Sequence, residues 1–113
     1  GASRALSRRP DVQTLVVLYP PQSDPDRFRR HYEEVHVPLV LAIPGLQGFR
    51  YAFDVRALGG ETPYFCVAEL DFADAEALAA AISSDEGQAA VADVATFADE
   101  PIVRLSMDVR DGR

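Results

Sequence analysis

The chain predicts an α+β sandwich of order β-α-β-β-α-β, and three observations carry that prediction. Four short runs are rich in β-branched and aromatic residues and end at turn formers. Two longer stretches have helical caps and no internal proline or glycine over their first turns. The second and third strand runs are joined directly by a Gly/Pro-bearing loop, whereas the other neighbours are joined through helices. That is the split unit of ferredoxin-like folds.

The first strand is Val12–Tyr19, ended by Pro20 and Pro21. Leu15, Val17 and Tyr19 point one way, and Val16 and Leu18 the other. Both faces are apolar, so both require cover. Ser23, Asp24 and Pro25 then signal a helix start, because Ser or Asp can cap free amides and Pro needs no N–H in the first turn. From Asp26 the helix should run about three turns. It should break or kink near His36–Pro38, because a residue before proline is biased away from helical angles. A short second piece from Pro38 should stop at Pro44 and Gly45.

Gln47–Arg56 alternates cleanly, with Phe49, Tyr51, Phe53 and Val55 on one face, and reads as the second strand. Ala57–Pro63 is a loop, and Tyr64–Leu70 the third strand, antiparallel to the second. Asp74 caps an alanine-rich helix over Ala75–Ile82, with Leu78 and Ile82 on its core face. Glu86–Phe97 continues as helix, with Val91, Val94 and Ala95 inward. Ile102–Val109 is the fourth strand, with Val103, Leu105, Met107 and Val109 on one face. Two helices cover one side of such a sheet. The apolar other side calls for a partner, so a homodimer through the open sheet face is expected.

At 113 residues and 48% hydrophobic content the chain fits one domain, taken as residues 12–110. Residues 1–11 read as a disordered tail, opening on a vector-derived Gly-Ala. The net charge is −7, and all 11 basic residues are arginines, interleaved with acids on the first helix. That balance argues against a nucleic-acid partner, which needs clustered cations. No apolar run reaches the ~18 residues of a membrane span, and no signal peptide is recognisable. The single cysteine, Cys66, lies in a strand and reads as a buried structural thiol. Together these fit a cytoplasmic protein.

The chemistry-bearing stretch is Asp26–Gly45, which holds both histidines, His31 and His36, with Tyr32 between them. At about 100° per residue, Phe28, Tyr32 and His36 share one helical face, extended by Val35 and Leu39. His31 lies roughly 140° from His36, so on a straight helix the two form no common site. The five-residue spacing is also wrong for two metal ligands on one face, and no metal site is expected. His36 has two readings. It is a packed histidine bonded to backbone, or a titratable group facing a cavity with Tyr32 one turn away to orient it or donate a proton. The isolated Gly59-Gly60 pair is a turn and not a phosphate loop.

His31–Leu39 (HYEEVHVPL) followed by Ile43–Tyr51 (IPGLQGFRY) resembles the EthD family of small dimeric α/β-barrel proteins. The matching positions are His31-Tyr32, His36, Pro38-Leu39 and Pro44-Gly45-Leu46, with Phe49 or Tyr51, and Ser83–Asp99 looks like the family's second helical region. Tyr32 stands where the family often carries tryptophan. His31 stands where another aromatic is usual, and the resemblance assigns it no role. The resemblance implies a ferredoxin-like dimeric α/β barrel with a small-molecule pocket between sheet and helices. It also implies a superfamily of cofactor-free monooxygenases, polyketide cyclases, muconolactone isomerases and haem-degrading enzymes. His36 is the position carried over as functional, with Tyr32 next.

The expected function is therefore cofactor-independent acid–base chemistry on a small apolar carbonyl or aromatic compound. His36 and Tyr32 would be catalytic, and Phe28, Tyr51, Phe53, Phe65 and Phe97 would form an apolar wall. The alternative is a non-catalytic protein that binds a small hydrophobic metabolite or assists an oxygenase. A haem-binding variant with His36 as axial ligand is a third reading.

Overall fold

The computed structural model describes residues 12–112, and the expected tail over residues 1–11 lies outside the described residues. The elements are β1 (Val12–Tyr19), α1 (Pro25–His31), a π-helical turn (Tyr32–His36), α2 (Val37–Leu41), β2 (Gly48–Ala52), β3 (Cys66–Phe72), α3 (Ala75–Ser83), α4 (Asp85–Phe97) and β4 (Val103–Val109). The sheet has four strands in the order β2-β3-β1-β4, with every pairing antiparallel. This is the ferredoxin-like sandwich.

Register sorts the two faces. Leu15 stands opposite Leu70 and Ser106, and Val17 opposite Ala68 and Arg104, so these residues face the helices. Val16 stands opposite Glu69 and Leu105, and Thr14 opposite Asp71 and Met107, on the open face. That face is not uniformly apolar. Thr14 donates its hydroxyl to Asp71 at 2.6 Å, and Arg50 pairs with Asp71 at 3.2 Å and with Glu69 at 2.5 Å. Leu105 and Met107 remain exposed at 51% and 40%.

Local signals set most boundaries. Asp24 caps α1 by accepting the Arg27 amide at 3.1 Å, with Pro25 in the first turn. Asp74 caps α3 through the Ala77 amide at 2.8 Å, and Ser84 caps α4 through the Gly87 amide at 3.0 Å. β2 ends at Ala52, four residues before the expected limit of Arg56. Asp54 sits in the left-handed region at φ 56°, which no strand accommodates, and its carboxylate pairs with Arg29 at 2.6 Å. β3 runs on through Asp71 and Phe72 because Asp71 is partnered across the sheet.

Of the break or kink expected near His36–Pro38, the helix shows no break but an irregular turn, the π turn over Tyr32–His36. Val37 is helical at φ −55° and ψ −48°. The chain instead widens by one residue per turn ahead of Pro38, and the Val37 amide reaches back five residues to the Tyr32 carbonyl. Pro38 lacks an N–H, and in an α-helix its ring would press on the carbonyl four residues back. The wide turn relieves both defects and keeps the helix continuous. It also shifts the faces: Val35, expected inward, is 41% exposed. In α4 the buried residues are Gly87, Ala90, Val94 and Phe97; Ala95 and Val91, expected inward, are exposed.

Candidate active site

The core is aromatic where α1 and the π turn meet the sheet. Tyr19, Phe28 and Tyr32 are each only 1% exposed, and full burial of such a ring stabilises the fold by about 2–3 kcal/mol. Phe28 lies 5.7 Å from Tyr32, 5.5 Å from Phe65, 6.2 Å from Phe53 and 5.1 Å from Phe97, and Tyr51 lies 5.1 Å from Tyr32. Such spacings suit edge-to-face and offset packing.

Beside this cluster a cavity of about 320 Å³ opens between the helix-facing side of the sheet and α3, α4 and the π turn. Its wall is mostly aliphatic, with Leu15, Val17, Ala68, Leu70, Val40, Ala90 and Val94 contributing. Tyr19, Tyr32 and His36 supply polar groups to it, as do Arg104 and Ser106 from β4. The cavity thus includes Tyr32 and His36. Phe28, Tyr51, Phe53, Phe65 and Phe97, expected as its wall, do not line it, because their rings pack against one another and fill their own space. Phe97 still bears on the site: its ring stacks on His31 at 4.5 Å and lies 5.3 Å from His36.

The histidines meet on one carboxylate. His36 Nδ1 lies 3.0 Å from Asp93 Oδ2, and His31 Nε2 lies 3.0 Å from Asp93 Oδ1. The expectation that they share no site fails, because it assumed a straight α-helix. In a π turn the residues that sit over one another are five apart, which is the spacing of His31 and His36. Asp93 was not singled out from the sequence. One signal was available: it lies on the stripe of α4 between Ala90 and Phe97, both buried, and a carboxylate on a buried stripe requires partners.

The electrostatics follow from burial and pairing. Burial holds His36 below its ordinary value of 6.5, although the bond from Asp93 opposes the shift. Burial works to raise the Asp93 carboxyl, but the bonds from His31 and His36 outweigh it and hold the group below 3.8. At neutral pH an ionised carboxylate therefore faces a neutral imidazole. A carboxylate only accepts, so Nδ1 of His36 carries the proton and donates it to Asp93. Nε2 is left as a lone pair.

That nitrogen is not sealed. Among the described residues no fully buried side-chain nitrogen or oxygen lacks a hydrogen bond, and His36 Nε2 has no partner among them, so this nitrogen is not fully buried, and His36 is one of the residues that line the cavity. Burial pushes the Tyr32 hydroxyl far above its ordinary value of 10.0, with the neighbouring Tyr19 hydroxyl adding to the effect. Tyr32 thus keeps its proton at any ordinary pH, as a hydrogen-bond donor and not a base or an acid. Cys66 is fully buried, and burial pushes its thiol up to about 12, which makes it inert. Among the described residues no group of three or more His, Cys, Asp and Glu side chains is arranged to hold a metal ion, and no helix is long and apolar enough to cross a membrane.

A family model for the EthD domain matches residues 20–101. The chain is 37% identical over 95 residues to an uncharacterised 11.0 kDa protein from the thcB-thcC intergenic region of Rhodococcus erythropolis, covering 83% of this chain and 91% of that protein. Among solved structures, an EthD family protein from Bacillus halodurans superposes with a TM-score of 0.80 at 30% identity, covering 85% of this chain and 96% of the other. Two further structures share the fold at lower identity. A dimeric ferredoxin-like protein of unknown function from Thermobifida fusca has a TM-score of 0.63 at 18% identity, covering 88% of this chain and 91% of the other. SnoaB from Streptomyces nogalater, described as a cofactor-independent oxygenase, has a TM-score of 0.60 at 11% identity, covering 91% and 96%.

Proposed function

Starting from the fact that this chain belongs to the EthD family, we propose that it is a cofactor-independent acid–base enzyme acting on a small apolar carbonyl or aromatic compound, with His36 as general base and Tyr32 as hydrogen-bond donor to the substrate oxygen. The observation that supports this reading is the His36–Asp93 bond at Nδ1, on an imidazole that lines the apolar cavity and whose Nε2 has no partner among the described residues.

The chemistry is proton abstraction beside a carbonyl. His36 Nε2 takes the proton, the C–H electron pair moves into a carbon–carbon double bond, and the carbonyl π pair moves to oxygen. The Tyr32 O–H donates a hydrogen bond to that developing oxyanion. Returning the proton to a different atom completes an isomerisation; attack of the enolate carbon on a second carbonyl of the same molecule opens that carbonyl to an alkoxide, which takes the proton back from His36 and completes a cyclisation. Acid–base catalysis of this kind contributes about 10²–10⁴-fold. The low position of the imidazole keeps it unprotonated at pH 7, as a base requires. SnoaB's description as cofactor-independent is consistent with a reaction that uses none.

The working unit in this proposal is a homodimer closed through the open sheet face. The exposed Leu105 and Met107, and relatives of the same fold described as dimeric, support it. A cytoplasmic location belongs to the same reading.

The test is deuterium incorporation at the α-carbon of 2-tetralone in D₂O, followed by proton NMR. The protein should accelerate exchange above the buffer rate, and His36→Gln should return it to that rate with the fold intact. Equal exchange in both proteins would remove His36 from the chemistry and leave the binding-protein reading.

A further inference from the structure

The cavity carries one fixed charge. Of the side chains that line it, Arg104 is the one that carries a charge at pH 7, because His36 is neutral there and the tyrosines keep their protons. Arg104 stands opposite Val17 in the β1–β4 register, so its side chain leaves the sheet on the helix-facing side, where Tyr19 is its electrostatic neighbour. No carboxylate among the described residues pairs with it. Arg29 and Arg50, by contrast, each pair with two acids. Arg27, Arg30 and Arg56 also form no ion pair among the described residues; what sets Arg104 apart is that it is the one arginine lining the cavity, where it and Ser106 are exposed. Ser106, two residues along the same strand and on the same face, lines the cavity too and adds a hydroxyl donor.

We propose that the cavity selects a small apolar carboxylate, whose anionic end docks on Arg104 and Ser106 from the sheet wall while its reacting carbon faces His36 from the helix wall. A guanidinium fork matches a carboxylate through two parallel N–H donors, which a neutral amide cannot reproduce. The cavity volume of about 320 Å³ lies at the low end of small-molecule sites, which suits a fused bicyclic or substituted monocyclic acid and excludes a long acyl chain. The orientation rests on the acid–base reading of His36; the preference for an anion does not.

The experiment compares binding of 2-naphthoate with its neutral isostere 2-naphthamide, by calorimetric titration of the intact protein at pH 7. Wild type should bind the carboxylate about tenfold more tightly, the scale of one charge-assisted hydrogen-bonded contact that stays partly wet. Arg104→Gln should erase that preference, and Arg104→Lys, which keeps the charge but loses the fork, should retain part of it. Circular dichroism of each variant establishes folding. Equal binding of the two probes by wild type, an undiminished preference in Arg104→Gln, or no binding of either probe overturns the proposal. The 2-tetralone exchange separates the two readings: accelerated exchange together with equal probe binding leaves His36 standing as base and removes only the anion class.

Discussion

Asp93 holds His36 by a single 3.0 Å bond to Nδ1, and that bond decides which nitrogen of the imidazole is available to a ligand. The aspartate comes from α4 and the histidine from the π turn, so the pair also ties these two helical segments together. The other Asp93 oxygen holds His31.

Asp93→Asn should therefore disable the site without emptying it. An amide can donate to Nδ1, which favours the tautomer with its proton on Nε2 and removes the lone pair from the cavity. Accelerated 2-tetralone exchange should fall by about 10²-fold, within the range that acid–base catalysis supplies. The His36 titration, followed through its ring protons by NMR, should move lower still, because Asp93 is what raises it against burial. An unmoved titration would show that the bond does not govern the ring.

Stability should fall as the solution is acidified, in two separate windows. His36 is depressed below 6.5 in the folded protein, so below that value the unfolded chain binds a proton that the folded one resists. The contribution is complete above 6.5 and lost as pH falls through the folded value. Asp93 is depressed below 3.8, so its contribution is present above 3.8 and lost as pH falls further. Urea midpoints at pH 7.5, 5.5 and 4.5 should decline in wild type and decline less in His36→Gln over the upper window. A flat wild-type profile would contradict the assignment.

Gly87→Ala should be costly for its size. A Cβ at that position would sit 2.0 Å from the Ala81 carbonyl oxygen and 2.9 Å from that of Ile82, both backbone atoms that cannot swing away. The start of α4 must then move off α3, at a cost of about 1–3 kcal/mol as for other overpacked sites. A thermal melt should show the midpoint lowered by about 4–8 °C for each kcal/mol. Ala90→Gly, on the same face, loses only a methyl group and some helix propensity, and should cost less.

Met107→Glu addresses assembly. Met107 is 40% exposed on the open sheet face, opposite Thr14. Sedimentation of the wild type should give a dimer, and the variant should shift toward monomer while retaining its circular dichroism. A wild-type monomer at micromolar concentration would remove the sheet-face dimer.

Much of this architecture is written in short-range pattern. The caps at Asp24 and Asp74, the faces of β1 and β4, and the Phe28–Tyr32–His36 stripe each depend on neighbours a few residues away, and each is readable from periodicity and side-chain chemistry. The EthD resemblance extended that reading to a pocket between sheet and helices. The aromatic wall was misplaced because periodicity shows that Phe28, Phe53 and Phe65 turn inward but not whether they meet one another or a void.

Residue order alone thus specified the strands, the helices, their order and the imidazole at the end of an apolar stripe, since all of these follow from local steric and hydrophobic preferences. Folding in three dimensions decided the chemistry. Pro38 disfavours a regular α-helix ahead of it, and the chain adopts the wider turn over Tyr32–His36. That turn swings His31 and His36 onto Asp93, which lies 62 and 57 positions away along the chain. The contact ties the ring beside Tyr32 to α4, a relation that no local pattern encodes because it exists only once both helical segments have closed on the sheet.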